Sequence, residues 1–293
     1  MKQLLSTRQV AAALGISEAS LKRWCDKGLL PVVRTVGGHR RLPVSGVVQF
    51  IRQHQHPLVK PEVLGLPPAT GRGAHSLDRV RGLLGEALEA GAEEPCRRLV
   101  LNLYLSGRRV CEIGDEVLVP AMSSIGVRWE HGQVEVYQER RAVEICTRIL
   151  HEIRAALSPI EPAAPLAIGA TLEADPYTLP TALVELTLRE MGWNAESYGI
   201  GHPAETLAAA IAGVRPRLFW LSVSTVPDPD RFVRQYAVLQ EAAAGQGIPI
   251  VIGGRALTDD IRRRIDYAAC CETLRRLVSF AEAVRGTKVE SAG

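Results

Sequence analysis

Basic side chains that could bind phosphate groups are concentrated in the first sixty residues of the chain. Residues 1–60 hold ten lysines and arginines against two acidic residues, Glu18 and Asp26, whereas the other residues hold 25 basic against 30 acidic side chains. A basic segment joined to an acidic body is the electrostatic signature of a nucleic-acid-binding module attached to something else. The charge distribution therefore predicts a head that binds DNA.

A second group of polar side chains, which includes Asp175 and Tyr177, lies in the loop 169–180. This loop follows an apolar run typical of the first strand of a parallel sheet, and a helical pattern follows the loop. Ligands of open α/β sheets bind at the carboxyl ends of the strands, where this loop must lie. The sequence shows no Ser-His-Asp set, metal-ligand cluster or phosphate-cradling glycine loop, so we expect a regulator and not an enzyme.

Two short helices joined by a tight turn are expected to position the basic side chains. Ser6 and Gln9 have the spacing of a capping box, so a helix should begin at Thr7 and end at Gly15. Ser17 then caps a second helix that runs to about Lys27. Helices of this length and spacing form a helix-turn-helix.

A hairpin and a third helix complete the predicted head. Residues 32–42 are expected to form two strands, and Gly37 and Gly38 would supply the positive φ angles of a two-residue turn. Pro43 should end the second strand, and residues 44–54 fit a third helix. Trp24 is expected to face the core of the head and not the DNA.

The head resembles the winged-helix domain of MerR-type transcription regulators over about fifty residues. The helix-turn-helix 8–27, the run Lys22-Arg23-Trp24 and the wing 34–41 carry the match. The resemblance implies a second helix in the major groove, a wing on the phosphates and binding to a double-stranded operator as a homo-oligomer, a dimer or tetramer. The candidate DNA-binding residues are Arg8, Glu18, Ser20, Lys22, Arg23, Lys27, Arg34, Gly37, Gly38, His39, Arg40 and Arg41.

Four helical segments follow the head and a stretch rich in proline and glycine. We predict a multidomain α and α/β protein with a head at 1–56, a linker at 57–75, a four-helix bundle at 76–158 and a Rossmann-like domain at 159–293. In the third segment, Pro120 is expected to interrupt the helix.

The bundle resembles the helical cap of cobalamin-binding modules, above all in the MerR-type light-sensing repressors of the CarH/LitR group. In that family a tryptophan, nine further residues and then Glu-His form the upper wall of the cofactor pocket. Trp129 and Glu139 match this pattern, and Arg140 stands at the position of the histidine. The resemblance thus implies cofactor contacts at these three residues.

Apolar runs and helical patterns alternate through the tail, so we predict a flavodoxin-like doubly wound parallel sheet of strand order 2-1-3-4-5. The predicted strands are 166–171, 194–198, 218–223, 249–252 and 267–271, and the predicted helices are 181–191, 203–212, 230–244, 258–264 and 273–285.

The tail also resembles the cobalamin-binding domain, whose first loop reads Asp/Glu-x-His-x-x-Gly and supplies a histidine that coordinates cobalt from below. Asp175 matches the acidic position, but Tyr177 stands at the histidine and Pro180 at the glycine. A phenol with a pKa near 10 is a poor cobalt ligand. The residues that match the cleft for the nucleotide tail of the cofactor are Ser222, Ser224, Gly253 and Gly254.

Three interpretations of the body stay open. The pocket holds cobalamin without a protein ligand from below, or it holds a linear tetrapyrrole such as biliverdin, or it is empty and the body only oligomerises or binds a partner protein. A bilin often attaches through a thiol, and Cys146 is a candidate, although a buried apolar thiol is the default for this position. In the first two cases the chain would be a transcription regulator that senses light or a ligand, as a photoreceptor does.

The cysteine spacing and the hydrophobic pattern indicate the cellular compartment. The six cysteines are scattered without a C-x-x-C pair, which indicates reduced thiols and no metal site. No apolar run approaches the roughly 18 residues of a membrane span, and the first residues lack the apolar core of a secretion signal. We therefore expect a cytoplasmic protein that does not bind membranes.

Overall fold

The predicted helix-turn-helix is confirmed by the computed structural model, which describes residues 4–68, 70 and 76–286. Helix α1 (Thr7–Leu14) has the expected capping box, in which the Gln9 side chain accepts a 2.9 Å hydrogen bond from the Ser6 backbone N–H. It ends at Gly15, whose φ is 67°. Helix α2 (Glu18–Asp26) and helix α3 (Val44–His54) also lie where the sequence places them.

The head contains a three-stranded antiparallel sheet, one strand more than the predicted hairpin. Strand β1 (Leu4–Ser6) pairs with β3 (Arg40–Pro43), which pairs on its other side with β2 (Val33–Arg34). Strand β1 was not predicted, because three residues are too few to show an alternating pattern.

The predicted two-residue wing turn is wrong. The backbone N–H of Thr35 donates a 3.0 Å hydrogen bond to the carbonyl of His39, so the loop between the strands is longer. Gly38 has a φ of 76°, whereas Gly37 is not among the residues with positive φ. A glycine with positive φ at the end of a longer loop is the expected geometry for such a hairpin.

The first part of the predicted linker is packed against the head. Residues 61–64 form a short 3-10 helix, and Leu58, Pro61 and Leu64 are buried. The backbone N–H groups of Val59 and Lys60 both donate hydrogen bonds to the carbonyl of Ala13 in α1. Residue 69 and residues 71–75 of the predicted linker lie outside the described residues.

The predicted helical segments form a bundle. Its helices are α4 (Leu77–Ala90), α5 (Glu93–Leu105), α6 (Val110–Ile113), α7 (Val119–Glu130) and α8 (Val136–Ala156). A π-helical turn, Gly114–Leu118, joins α6 to α7, so the helix continues past Pro120 instead of breaking there. Pro120 lies just after this π-helical turn, in the first turn of α7.

The head and the bundle belong to one compact unit, Met1–Pro159, and the second unit is Ile160–Gly293. Within the first unit, α3 packs on α8 and α5. The Gln49 side-chain amide donates to the carbonyl of Ala156 at 3.1 Å, and the guanidinium of Arg52 lies 3.6 Å from the centroid of the Tyr104 ring.

The second unit confirms the predicted doubly wound sheet. The parallel strands β4 (Leu166–Ala170), β5 (Asn194–Ser197), β6 (Leu218–Ser222), β7 (Ile250–Gly253) and β8 (Ala269–Cys270) lie in the order β5-β4-β6-β7-β8. Helices α9 (Thr178–Glu190), α10 (Ala204–Val214), α11 (Pro229–Ala244), α12 (Asp259–Arg263) and α13 (Leu274–Gly286) connect or follow them.

Alternate residues of each central strand face opposite sides of this sheet. Phe219, Leu221 and Val223 belong to a core shared with α10, α11 and α12, whereas Trp220 faces α9 and hydrogen-bonds to it. In the described parts of both units, no helix combines the length and apolar character needed to cross a membrane.

Candidate DNA interface and ligand cleft

Most of the predicted DNA-contacting side chains are exposed on the head. Arg8, Lys22, Arg23, Lys27, Arg34 and His39 are exposed, together with Gly37 and Gly38, while Arg40 and Arg41 are half-buried. Trp24 is half-buried as well, and its ring lies 5.1 Å from that of Phe50. The inward orientation of Trp24 leaves the polar face of α2 to the solvent.

Several of the predicted contact residues have partners inside the head, among them Glu18 and Ser20. The Glu18 carboxylate accepts a 2.6 Å hydrogen bond from the Thr7 hydroxyl, which lowers the pKa of Glu18, and it lies 3.5 Å from the Lys22 ammonium. Ser20 belongs to the cap of α2, because its backbone N–H donates to the Ser17 hydroxyl. Glu18 thus joins α1 to α2.

Arg40 joins the wing to α2. Its guanidinium lies 2.8 Å from the Asp26 carboxylate and 3.4 Å from the carbonyl oxygen of Lys22. Arg40 was predicted to contact DNA, and its partner Asp26 was not predicted, because the two residues are fourteen positions apart and only the folded wing brings them together.

The bundle has an exposed apolar end where α7 turns into α8. Trp129 is 43% exposed, and Val127, Val136 and Tyr137 are 53%, 53% and 65% exposed. The carboxylate of Glu139, which is mostly shielded, lies 3.6 Å from the exposed guanidinium of Arg140. Trp129 therefore presents an aromatic surface, and Glu139 and Arg140 form an ion pair next to each other on α8.

Asp175 is buried in the loop after β4 and binds backbone groups. One carboxylate oxygen accepts a hydrogen bond from the Tyr177 N–H at 3.1 Å, and the other accepts from the N–H groups of Ser224 and Thr225. Burial raises the pKa of Asp175, and the N–H donors oppose that rise. The carboxylate connects the loop after β4 to the loop after β6.

Tyr177 lies at the amino end of α9 and is half-buried. The guanidinium of Arg255 lies 5.5 Å from the centroid of its ring and also donates to the carbonyl of Ser224 at 3.3 Å. The phenol thus shares its surroundings with a cation, which does not favour a metal ion at the same place.

Gly253 and Gly254 are required by close contacts within the protein. A Cβ atom on Gly253 would lie 2.6 Å from the carbonyl oxygen of Cys271, and one on Gly254 would lie 2.0 Å from that of Val223. Gly254 also has a φ of 134°. Ser222 and Ser224 are buried beside them.

These residues do not fit a cobalamin that is held from below by this loop. Its acidic residue accepts hydrogen bonds from three backbone N–H groups, a tyrosine beside an arginine replaces the imidazole, and the two glycines lie against protein backbone. A cavity of about 150 Å³ lies near Asp175, Ser222 and Arg231. That volume is below the roughly 300–1,000 Å³ of pockets for drug-sized ligands.

Cys146 does not offer a thiol to solvent. Its side chain is fully buried in α8, and burial raises the pKa of the thiol to about 12. Thiolates are the nucleophiles of cysteine chemistry, so the geometry disfavours the attachment of a bilin at this residue.

Two parts of the chain match known domain families. Residues 4–55 match a helix-turn-helix domain, and residues 81–154 match a B12 binding domain. The second match covers the helical bundle, including Trp129, Glu139 and Arg140.

The chain is also similar to part of a curated protein. It is 28% identical over 180 residues to the HTH-type transcriptional repressor CarH of Myxococcus xanthus, across 60% of this chain and 55% of that repressor. The match thus spans little more than half the length of the relative.

Among solved structures, the monomethylamine corrinoid protein of Methanosarcina barkeri aligns with a TM-score of 0.58 at 17% identity, over 71% of this chain and all of that one. This likeness concerns the fold. The chain therefore combines a helix-turn-helix domain with a helical domain of the B12-binding type and a corrinoid-protein-like α/β fold.

Proposed function

We propose that the protein is a transcription regulator that binds duplex DNA through the polar face of α2 and the wing. The observation that carries the proposal is the group of exposed cationic side chains on one small domain: Arg8, Lys22, Arg23, Lys27 and Arg34. Helix α2 would read base edges in the major groove, and the wing would contact phosphates. One head covers a short half-site, so the active species would be a dimer or tetramer.

Salt-dependent binding to the DNA upstream of its own gene tests this proposal. Fluorescence anisotropy would compare the full chain with the variant Lys22→Ala/Arg23→Ala/Arg34→Ala. A variant matched in charge, Arg98→Ala/Arg148→Ala/Arg276→Ala, removes three exposed arginines outside the head.

We expect the head variant to lower the affinity and to reduce the slope of log K against log salt by about one for each lost phosphate contact. The matched variant should change neither quantity. Equal losses in both variants would mean that net charge, and not the head, determines binding.

Trp129 favours a second, sensory role for the body. The indole is 43% exposed, and Val127, Val136 and Tyr137 near the same end of the bundle are exposed as well, so this end offers apolar area that a flat ligand or a partner would cover. Such a ligand or light would act by favouring one oligomeric state, which requires different affinities for the two states. The alternative is a body that only oligomerises or binds a protein partner.

The absorption spectrum of the purified protein separates these roles. After incubation with adenosylcobalamin or biliverdin and desalting, retained colour that is lost in Trp129→Ala would support a tetrapyrrole on this surface. The sedimentation coefficient of the loaded protein before and after illumination would show whether light changes its oligomeric state. Colourless protein in both mixtures would support the alternative.

A further inference from the structure

The indole of Trp220 fills the space between the sheet of the second unit and α9. Trp220 is 1% exposed and pairs in register with Gly169 on the neighbouring strand β4. A Cβ atom on Gly169 would lie 2.1 Å from the Trp220 ring. The glycine is thus the complement of the tryptophan, since any side chain there would overlap the indole.

A chain of hydrogen bonds fixes the indole in this place. Its Nε1–H donates to the hydroxyl of Thr181 at 3.0 Å, and the Thr181 hydroxyl lies 3.2 Å from the hydroxyl of Ser197. Ser197 in turn accepts from the backbone N–H of Gly199. Trp220 therefore joins β6 to the first turn of α9, which is joined to the end of β5.

Trp220 precedes Ser222 by two residues on β6, so both side chains lie on the same side of the sheet. Side chains two residues apart on a strand share a face, so Ser222 marks the carboxyl end of the surface that Trp220 covers. Ser222 matches the strand end that lines the cleft for the nucleotide tail in cobalamin-binding domains. A tail inserted past Ser222 towards α9 would meet the indole.

We propose that Trp220 closes the second unit to nucleotide-bearing corrinoids and is the residue that determines this exclusion. The indole is a bicyclic aromatic ring about as large as the benzimidazole base of the tail, so the protein fills with its own side chain the volume that the base would need. A flat tetrapyrrole that bound this chain would have to leave its tail, if it had one, outside the α/β unit. This inference is independent of DNA binding, because Trp220 and the head lie in different units.

Removal of the indole should create a site for the base alone. The full-length protein would be compared with Trp220→Ala and with Trp193→Ala, in which an equally buried tryptophan of the same unit is removed. The probe is 5,6-dimethylbenzimidazole at millimolar concentration, and the readout is the thermal unfolding temperature. We expect the base to raise the Tm of Trp220→Ala by several degrees and to leave the wild type and Trp193→Ala unchanged.

Equilibrium dialysis of the wild type with cobalamin and with cobinamide, which lacks the nucleotide, provides a test that needs no variant. We expect cobalamin to be retained no better than cobinamide. Retention of cobalamin at least tenfold above cobinamide, or a rise in wild-type Tm with the base, would overturn the proposal. An equal rise in Trp193→Ala would also overturn it, because any cavity would then suffice. If Trp220→Ala does not fold, the dialysis of the wild-type protein alone tests the proposal.

Discussion

Asp175 matches the acidic residue of the first loop in cobalamin-binding domains, but here its carboxylate stabilises the fold. Its two carboxylate oxygens accept three backbone N–H groups from Tyr177, Ser224 and Thr225. A buried carboxylate that is satisfied in this way stabilises the loops it connects. The acidic residue at this position therefore has a structural role that does not depend on a histidine in the same loop.

Substitution of Asp175 by asparagine should destabilise the second unit by about 1–3 kcal/mol, because an amide NH₂ would face backbone donors that need acceptors. Urea unfolding, followed by tryptophan fluorescence, measures this loss. Glu173→Gln in the same loop is the control, since its carboxylate forms an exposed ion pair with Arg231 and should contribute no more than about 1 kcal/mol. Equal losses of stability in Asp175→Asn and Glu173→Gln would contradict the structural role of Asp175.

The Cys146 thiol should be inert in the folded protein. A thiol pKa of about 12 leaves roughly one thiolate in 10⁴ molecules at pH 8, and the fraction rises only as the pH approaches that value. We expect no iodoacetamide labelling of Cys146 at pH 8 by peptide mass spectrometry, and full labelling in urea. Rapid labelling of the native protein would show that the thiol is accessible and would restore the route to a covalently attached bilin.

At the scale of elements, the wing is held by a contact with α2. Arg40 on β3 joins Asp26 at the end of α2, so the exposed wing residues keep a fixed position relative to the second helix. The contact adds to the pairing of β3 with β1, which holds only one edge of the hairpin, while β2 on the other edge has two residues.

The contact between Arg40 and Asp26 predicts that the loss of an acidic residue weakens DNA binding. Asp26→Ala removes a negative charge from a DNA-binding domain, which on charge alone should strengthen binding. If Arg40 positions the wing through Asp26, the variant should instead weaken binding roughly fivefold, about 1 kcal/mol, as should Arg40→Ala. Anisotropy with operator DNA measures both. Tighter binding by Asp26→Ala would indicate that Arg40 contacts phosphate directly.

At the scale of the whole molecule, the head is part of a larger unit. Helix α3 contacts α5 and α8, and Arg52 donates a 3.1 Å hydrogen bond to the carbonyl of Arg108 while its guanidinium covers the Tyr104 ring. These contacts join the head to the bundle within one compact unit. The residues of α3 thus have a role that a free-standing head would not need.

Loss of this contact should loosen the head. Arg52→Ala removes a cation–π contact and a hydrogen bond, together about 1–2 kcal/mol. We expect amide hydrogen exchange in α1 to α3 to accelerate roughly 5- to 30-fold, while the exposed control Lys60→Ala leaves it unchanged. Unaltered exchange in Arg52→Ala would mean that the head is stable without the bundle.

The sequence alone determined most of the helices and strands and their order, but not the short strand β1 or the 3-10 helix at residues 61–64. The capping box of Ser6 and Gln9 and the left-handed Gly15 depend on groups within a few residues, and the five β-α units follow from periodicity. These local signals also located the exposed cations of α2 and the wing. The strand order followed from the rules for parallel sheets, which leave few topologies.

Only the tertiary structure decided which polar and aromatic groups meet. Arg40 and Asp26, Asp175 and Ser224, and Trp220 and Gly169 are far apart along the chain, and each pair depends on how loops and strands are placed in space. A residue type at a matching position indicates what a side chain could bind, but its neighbours in the fold determine what it does bind. For this reason the sequence predicted a DNA-binding head, whereas the closed cleft became visible only in the folded protein.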